Sequence, residues 1–162
     1  ICACPSTERD LGDGFAPNAA LAAAGANLCV GTDQHVATDV LGEARAVEEH
    51  ERLAALARGV LAPADLADAL TRHGHRALGR PGDGVIAPGA RADLVALDLA
   101  STRTAGIDPA QIVMVATSAD VRDVVAGGVQ IVARGQHRLG DVGAMLTAAI
   151  DAAWALVTKE RA

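Results

Sequence analysis

The apolar residues of this chain form short continuous runs near its beginning, with an alanine-rich stretch between two of them. The runs at residues 1–4 and 27–32 predict two buried strands, and residues 18–26 predict a helix that Asn18 can cap. The polar, glycine-containing residues 6–17 predict a long loop. Because a strand, a helix and a second strand in this order form a βαβ unit, we expect the two strands to be parallel and adjacent.

Helical spacing dominates the next part of the chain. Leu41, Ala44 and Val47 recur three residues apart and predict an amphipathic helix over residues 40–58, with its charged side chains on a solvated face. Those charged side chains are Glu43, Arg45, Glu48, Glu49, Glu51 and Arg52. Proline in the first turn and glycine at the end predict another helix over residues 62–79.

The pattern changes about halfway along the chain, where glycine and proline become frequent and the apolar runs become short. Two of these runs flank Gly127 and Gly128, which is typical of a β-hairpin. The predicted strands are residues 84–86, 93–98, 112–116, 121–126 and 129–134. We therefore divide the chain into an α/β part, residues 1–81, an all-β part, residues 82–140, and an amphipathic C-terminal helix, residues 141–162.

Composition limits the classes of function. With 162 residues, of which 51% are hydrophobic, the chain is long enough for one ordinary domain with a buried core. The net charge is −6 and the basic residues form no cluster interleaved with aromatic residues, so we expect no nucleic-acid partner and no membrane partner. Cys2, Cys4 and Cys29 form no CxxC pair, which favours buried, reduced thiols in a cytoplasmic protein.

Polar residues with possible chemical roles follow the two predicted strands. After the second strand, the apolar run ends abruptly in Asp33 and His35. Asp33 is a candidate metal ligand, but the run alone favours an acid that caps a helix or lies in a loop. His35 is either a functional group or a histidine with local contacts, and Thr7 and Glu8 either face a substrate or satisfy a turn. The remaining histidines on predicted helices are interpreted as solvated or at the edge of the core: His50, His73 and His75.

Three motifs carry a family resemblance. They are CPSTERDLGDG at residues 4–14, GTDQHV at residues 31–36, and GDGVIAPGARADLVALD at residues 82–98, which is followed by VRDVVAGGVQIVARG. Together they resemble the C-terminal part of the amidohydrolase superfamily, and the first is similar to the formimidoylglutamate deiminase family. That family has threonine in place of Ser6, and its Gly-Ser-Asp-Ser-His pattern corresponds to residues 31–35 of this chain.

The resemblance implies a fold class and a place within it. It implies an α/β protein whose residues 1–81 are the last two βα units of a (β/α)8 TIM-like barrel. Residues 82–140 would be the C-terminal strands of a small β-sandwich. A full barrel needs about 250 residues, so we expect this chain to be one part of a longer polypeptide whose N-terminal part completes the barrel. At full length we expect a homodimer.

The resemblance also implies a catalytic role for Asp33. In the superfamily an aspartate at this position binds one divalent metal, zinc in the deaminase branch, and accepts a proton from water. The other ligands would lie outside this chain, and His35, Glu8 and Thr7 would support the site or face the small-molecule substrate. Because a catalytic zinc needs about three protein ligands, we expect the 162-residue chain alone neither to bind zinc tightly nor to turn over substrate.

The implied reaction is the hydrolysis of a C–N bond that is not a peptide bond. The similarity to the deiminase family implies conversion of N-formimidoyl-L-glutamate to N-formyl-L-glutamate and ammonia, a step of histidine degradation. Two alternatives stay open at this point. One is another amidohydrolase deaminase that acts on guanine or a cytosine-like ring, and the other is a non-catalytic interaction module.

Overall fold

Two short parallel strands open the structure, a computed structural model that describes residues 1–35 and 37–160. Strand β1 (Cys2–Ala3) pairs with β2 (Cys29–Val30), so the predicted parallel pair is confirmed. Helices α1 (Pro5–Leu11) and α2 (Asn18–Ala23) connect them. Val36 of the second motif and residues 161–162 of the predicted C-terminal helix lie outside the described residues.

Four helices and four antiparallel strands follow. The helices are α3 (Val40–Ala55), α4 (Pro63–Leu70), α5 (Arg72–Ala77) and α6 (Val142–Glu160). The strands are β3 (Leu94–Leu97), β4 (Val121–Ala126), β5 (Val129–Ala133) and β6 (Gln136–His137), and they form one sheet in the order β3-β4-β5-β6. Turns of 3₁₀ helix occupy Pro109–Met114 and Ser118–Asp120. None of the helices in the described ranges combines the length and the apolar character that crossing a membrane requires.

Two predicted segments have a different structure because a proline begins a helical turn there. The predicted loop after β1 contains α1, with Pro5 in its first turn and the side chain of Glu8 accepting a hydrogen bond from the Cys4 N–H at 2.8 Å. The predicted strand 112–116 is a 3₁₀ turn that begins at Pro109, where the Asp108 side chain accepts from the Ala110 N–H. A proline in the first turn and a side chain that accepts from a free amide thus favour a helical turn over the predicted loop in the first segment and over the predicted strand in the second.

The structure also corrects the helix over 62–79 and the strand over 84–86. Thr71, with φ −120° and ψ −100°, separates α4 from α5, and its hydroxyl donates to the Ala67 carbonyl. Residues 84–86 form a bend rather than a strand. Gly84 has φ +76°, and a Cβ there would lie 2.7 Å from backbone atoms of Arg72, so this bend packs directly on α5.

Helix α3 lies at the centre of the buried core. Val47 on α3 and Leu66 on α4 are both fully buried, and Leu28 beside β2 is 4% exposed. The core cluster combines Ala3, Leu28, Ala44, Val47, Leu61, Leu66, Ala69 and Val113. These aliphatic side chains join β1 and β2 to α3, α4 and the 3₁₀ turn, as the near absence of aromatic residues predicts.

The charged face of α3 is not uniformly solvated, which corrects the sequence expectation. Glu43, Glu48 and Glu51 are 4%, 0% and 9% exposed. Glu43 accepts from the Ser6 N–H in α1 at 2.9 Å, and Glu51 accepts from the Ala19 N–H in α2 at 3.0 Å. Because the first amides of a helix have no partner within the helix, these carboxylates supply the missing acceptors and fix α1 and α2 against α3.

Glu48 fixes the connection between α3 and α4. One oxygen accepts from Arg52 Nε at 2.8 Å and from the Gly59 and Val60 amides, and the other accepts from the Leu61 N–H at 2.7 Å. Burial by itself raises the pKa of Glu48, but the hydrogen bonds from Arg52 and Leu61 outweigh it and leave the pKa below its usual value. The buried carboxylate therefore stays ionised at neutral pH.

A second buried carboxylate organises the segment before β4. Asp120 is 1% exposed and accepts hydrogen bonds from Arg103, Ser101 and Thr117, including Arg103 Nη2 at 2.8 Å. These bonds, that from Arg103 first, hold the pKa of Asp120 well below its usual range. The Asp120 carboxylate thereby ties the turn near residue 101 to the start of β4.

The sheet and α6 leave apolar side chains exposed. Val95 on β3 is 60% exposed, and on α6 Leu146 and Trp154 are 59% and 64% exposed. An apolar cavity of about 430 Å³ lies between this sheet and the α3–α4 pair, with Leu41 and Val124 among its lining residues. The predicted hairpin around Gly127 and Gly128 is confirmed, since β4 and β5 pair across it.

Candidate functional site

The polar residues predicted for the site lie where β1 and β2 end. In a parallel pair both carboxyl ends lie at the same edge, the edge at which α/β proteins bind ligands. Thr7 Oγ1 in α1 donates to the Thr32 carbonyl after β2 at 2.8 Å, and this bond links the two strand ends directly. Thr7 is 3% exposed, so its hydroxyl serves this link.

Asp33 lies in the exposed turn that follows β2. Its backbone has φ +47°, a left-handed conformation that is uncommon outside glycine but tolerated by aspartate. Burial, the neighbouring Cys2 and then the Asp33 charge raise the pKa of the Cys4 thiol to about 11. The Asp33 carboxylate therefore lies close enough to the end of β1 to act on the Cys4 thiol.

Glu8 has one engaged carboxylate oxygen and one without a partner. Its Oε1 accepts from the Cys4 N–H, as described for α1. Its Oε2 is buried and, within residues 1–35 and 37–160, has no hydrogen-bond partner. A buried acceptor without a donor is energetically unfavourable, so an external donor would stabilise Glu8 Oε2.

His35 makes local contacts in the same turn. Its N–H donates to the Thr32 carbonyl at 3.0 Å, and its Nδ1 accepts from the Ala37 N–H at 3.2 Å. The ring is half-buried. These contacts correspond to the local interpretation of His35, and its role towards a metal or substrate stays a prediction.

Two other histidines, His50 and His73, contact the helices and strands of the fold. His50 is 5% exposed and its ring centre lies 4.9 Å from that of Phe15, so the prediction of a solvated or core-edge residue is wrong for His50. Burial lowers the pKa of His50. His73 is half-buried, and its Nδ1 lies 3.0 Å from the Leu28 carbonyl next to β2, which agrees with a position at the edge of the core.

The described residues do not contain a complete set of metal ligands. Across the described ranges, no three or more His, Cys, Asp or Glu side chains are arranged so that they could hold a metal ion. Asp33 is a suitable ligand by its chemistry, because carboxylate oxygens bind divalent metals, including zinc at about 2.0–2.2 Å. The described residues therefore fit a catalytic metal centre in which Asp33 would be one of several ligands.

A feature that sequence reasoning missed is the cluster of thiols on one face of the strand pair. Cys2 is exposed, Cys4 is half-buried and Cys29 is buried, so the prediction of three buried thiols is wrong for Cys2 and Cys4. All three are free thiols. The alternation of Cys2 and Cys4 along the predicted strand at residues 1–4 was the available signal, since residues two apart in a strand share a face.

Comparisons with known proteins show the family to which this chain belongs. The profile of the amidohydrolase family matches residues 1–131. The chain is 35% identical to a formimidoylglutamate deiminase of Pseudomonas aeruginosa over 83% of this chain and 32% of that protein. It is 33% identical to an 8-oxoguanine deaminase of the same organism over 97% of this chain and 36% of that protein.

A solved structure shows the same fold. It is an adenosine deaminase from Xanthomonas campestris with bound zinc, at a TM-score of 0.84 and 27% identity, over 93% of this chain and 36% of that chain. This chain belongs to the amidohydrolase family, whose relatives named here are hydrolytic deaminases. It spans about a third of the length of these relatives.

Proposed function

We propose that this chain contributes the last two βα units and one metal-binding carboxylate to an amidohydrolase that hydrolyses N-formimidoyl-L-glutamate. The carrying observation is the exposed Asp33 carboxylate at the carboxyl end of β2, in a member of the amidohydrolase family. The 35% identity to a formimidoylglutamate deiminase supports the substrate. The products would be N-formyl-L-glutamate and ammonia.

Asp33 would hold the metal and move a proton. A divalent metal such as zinc, when bound, activates water by lowering its pKa to near 7. The Asp33 carboxylate can accept the proton that the attacking water loses and can later donate it to the departing nitrogen. Since a catalytic zinc needs about three protein ligands, the others would come from outside the described residues.

Glu8 would recognise the substrate. The formimidoyl group carries N–H donors and is basic, and Glu8 Oε2 is a buried acceptor with no partner among the described residues. A hydrogen bond from the substrate would satisfy this oxygen and would also favour the charged form of the substrate. His35 and Thr7 would support the site by fixing the turn after β2 and the start of α1.

The second candidate is a deaminase of a purine ring. The 8-oxoguanine deaminase of P. aeruginosa matches 97% of this chain, more than the 83% matched by the formimidoylglutamate deiminase, although its identity is lower. A ring amidine and a formimidoyl group both present a C–N bond to water, so the chemistry of Asp33 would be the same. The two candidates differ in the shape and charge of the substrate.

A fusion protein tests the proposal. The first two thirds of the P. aeruginosa formimidoylglutamate deiminase, joined to this chain in place of its own C-terminal part, should release ammonia from N-formimidoyl-L-glutamate. Asp33→Asn should lower that rate by about 10²–10⁴-fold, the usual range for a group that transfers protons, and should lower the zinc content. Asp13→Asn, a change of an exposed aspartate in the loop after α1, is the matched control and should leave both unchanged.

Two results would contradict the proposal. Release of ammonia from 8-oxoguanine but not from N-formimidoyl-L-glutamate would favour the second candidate. Sub-micromolar zinc binding together with turnover by the 162-residue chain alone, measured by calorimetry and ammonia release, would show that the remaining ligands are not supplied from outside it.

A further inference from the structure

The thiol of Cys2, on β1, and the thiol of Cys4, directly after β1, lie close enough to bind one ion together. Cys2 and Cys4 are two residues apart, so both point to the same face of the strand pair. Their Sγ atoms are 4.0 Å apart. Two metal–sulfur bonds of about 2.3 Å each can join sulfurs up to about 4.6 Å apart, so a single ion fits between these two without a change in the strand.

The neighbouring strand leaves room for such an ion. Gly31 follows β2, and a Cβ at this position would lie 3.2 Å from Cys2 Sγ and 3.4 Å from Cys4 Sγ. Only glycine leaves this space empty. Cys29, the register partner of Cys2, donates its thiol to the Ile1 carbonyl at 3.3 Å, and burial and the neighbouring Cys2 thiol raise the pKa of Cys29. The pair and the glycine therefore form a small recess lined by sulfur.

Oxidation to a disulfide is the less suitable chemistry for this pair. The Cα atoms of two residues two apart in a strand are about 6.6 Å apart, at the upper end of the roughly 4.4–6.8 Å that disulfides span. Burial and the neighbouring Cys2 raise the pKa of Cys4 to about 11, and a thiol that stays protonated reacts slowly with oxidants. An ion with strong affinity for sulfur can instead displace the protons.

We propose that Cys2 and Cys4 form a two-sulfur binding site for a soft, thiophilic cation, monovalent copper in the first instance. Thiolate is a soft ligand and selects Cu(I) over the harder divalent ions. The ion replaces the two thiol protons, which pass to solvent, and forms two copper–sulfur bonds with no change in oxidation state. Gly31 provides the space, and Cys29 is not a ligand. This inference does not depend on the proposed hydrolase function.

An anaerobic competition titration tests the proposal on the full 162-residue chain. The reduced chain competes with a chromophoric Cu(I) chelator, and we expect it to retain one equivalent of Cu(I). Cys2→Ser and Cys4→Ser should each weaken binding by at least about 100-fold, since loss of a supporting partner alone costs about 10–100-fold. Cys29→Ser is the matched control and should bind as the original chain does.

Further measurements distinguish loss of the site from loss of the fold. Gly31→Ala keeps all three thiols, and its added methyl group should still weaken copper binding by crowding both sulfurs. Circular dichroism and thermal melts check that each variant is folded, and X-ray absorption should count two sulfur neighbours. Unchanged binding in Cys2→Ser or Cys4→Ser would overturn the proposal. An equal loss in Cys29→Ser, or a count of three sulfurs, would overturn the two-sulfur assignment.

Discussion

The region around α3 buries charged side chains, whereas the region formed by the sheet and α6 exposes apolar ones. Around α3, carboxylates are buried: Glu48 is 0% exposed and binds four N–H groups. In the sheet, an apolar side chain such as Val95 is 60% exposed, and on α6 Trp154 is 64% exposed. Polar residues inside and apolar residues outside are both departures from the simple rule of burial by polarity.

The two departures have different physical causes. Around α3 the buried carboxylates meet the free amides of α1, of α2 and of the segment before α4, so each charge is compensated by hydrogen bonds. The exposed apolar side chains, Leu94 and Val95 on β3 and Leu146 and Trp154 on α6, are not covered by other described residues. An apolar surface of this kind is typical of a face that contacts another part of a larger fold or another protein.

The largest expected effect is at the carboxylate that joins α3 to α4. Glu48→Ala removes the acceptor for three backbone amides and for Arg52, and it leaves the buried Leu61 N–H without its partner. We expect the free energy of unfolding to fall by about 3 to 5 kcal/mol, measured by urea denaturation. Glu49→Ala, one position away and exposed, should change it by less than about 0.5 kcal/mol. A similar loss of unfolding free energy in both variants would show that the hydrogen bonds of Glu48 do not stabilise the fold.

The next largest effect is the difference in unfolding free energy between substitutions of apolar residues in the two regions. Leu66 is fully buried, so Leu66→Ala should cost about 2 to 5 kcal/mol through lost contacts and the cavity left behind. Val95→Ala, at an exposed position of β3, should change the free energy of unfolding by less than about 0.5 kcal/mol in this chain. Chemical denaturation of both variants measures the difference. A costly Val95→Ala would mean that the sheet is covered in solution.

The smallest effect concerns pH. The pKa values of Glu48 and Asp120 are lowered in the folded chain, and an unfolded carboxyl titrates near about 4. Between the folded and unfolded values the unfolded chain binds more protons, so stability rises with pH there. The contribution of both groups is therefore complete above about pH 5 and is lost as the pH falls through their folded values.

Melting curves between pH 7 and pH 3 measure this dependence. Glu48→Gln should flatten the loss of stability in acid, because a neutral amide does not titrate, whereas Glu49→Gln should leave the profile unchanged. An unchanged profile in Glu48→Gln would show that Glu48 does not contribute to acid unfolding.

Parts of the fold were predictable because they depend on local pattern. Helical spacing predicted α3, the pair Gly127 and Gly128 predicted the hairpin, and the runs beside Cys2 and Cys29 predicted the parallel strands. The strand predicted at 112–116 was wrong because a strand-like composition there is overridden by Pro109 and the Asp108 cap. A capping interaction of this kind involves only two or three residues, so a longer apolar run beside it dominates a prediction from the sequence.

The candidate site also has features that the sequence predicted and features that it did not predict. The position of Asp33 after a buried run was readable from the sequence, and the motif around it indicated its family. The free oxygen of Glu8 was not readable, because it depends on which amide binds the other oxygen. The closeness of Gly31 to the thiols of β1 was not readable either, since it depends on the register of two strands.

The sequence by itself determined the spacing of apolar residues in the helices and strands, the family motifs and the residue types available for chemistry, because these are properties of neighbouring residues. Only the tertiary structure decided which charges are buried. Glu48 and Glu49 are adjacent and chemically identical, yet one is 0% exposed and the other lies in solvent. The difference arises from the amides of residues 59–61, which folding places beside one side chain and not the other.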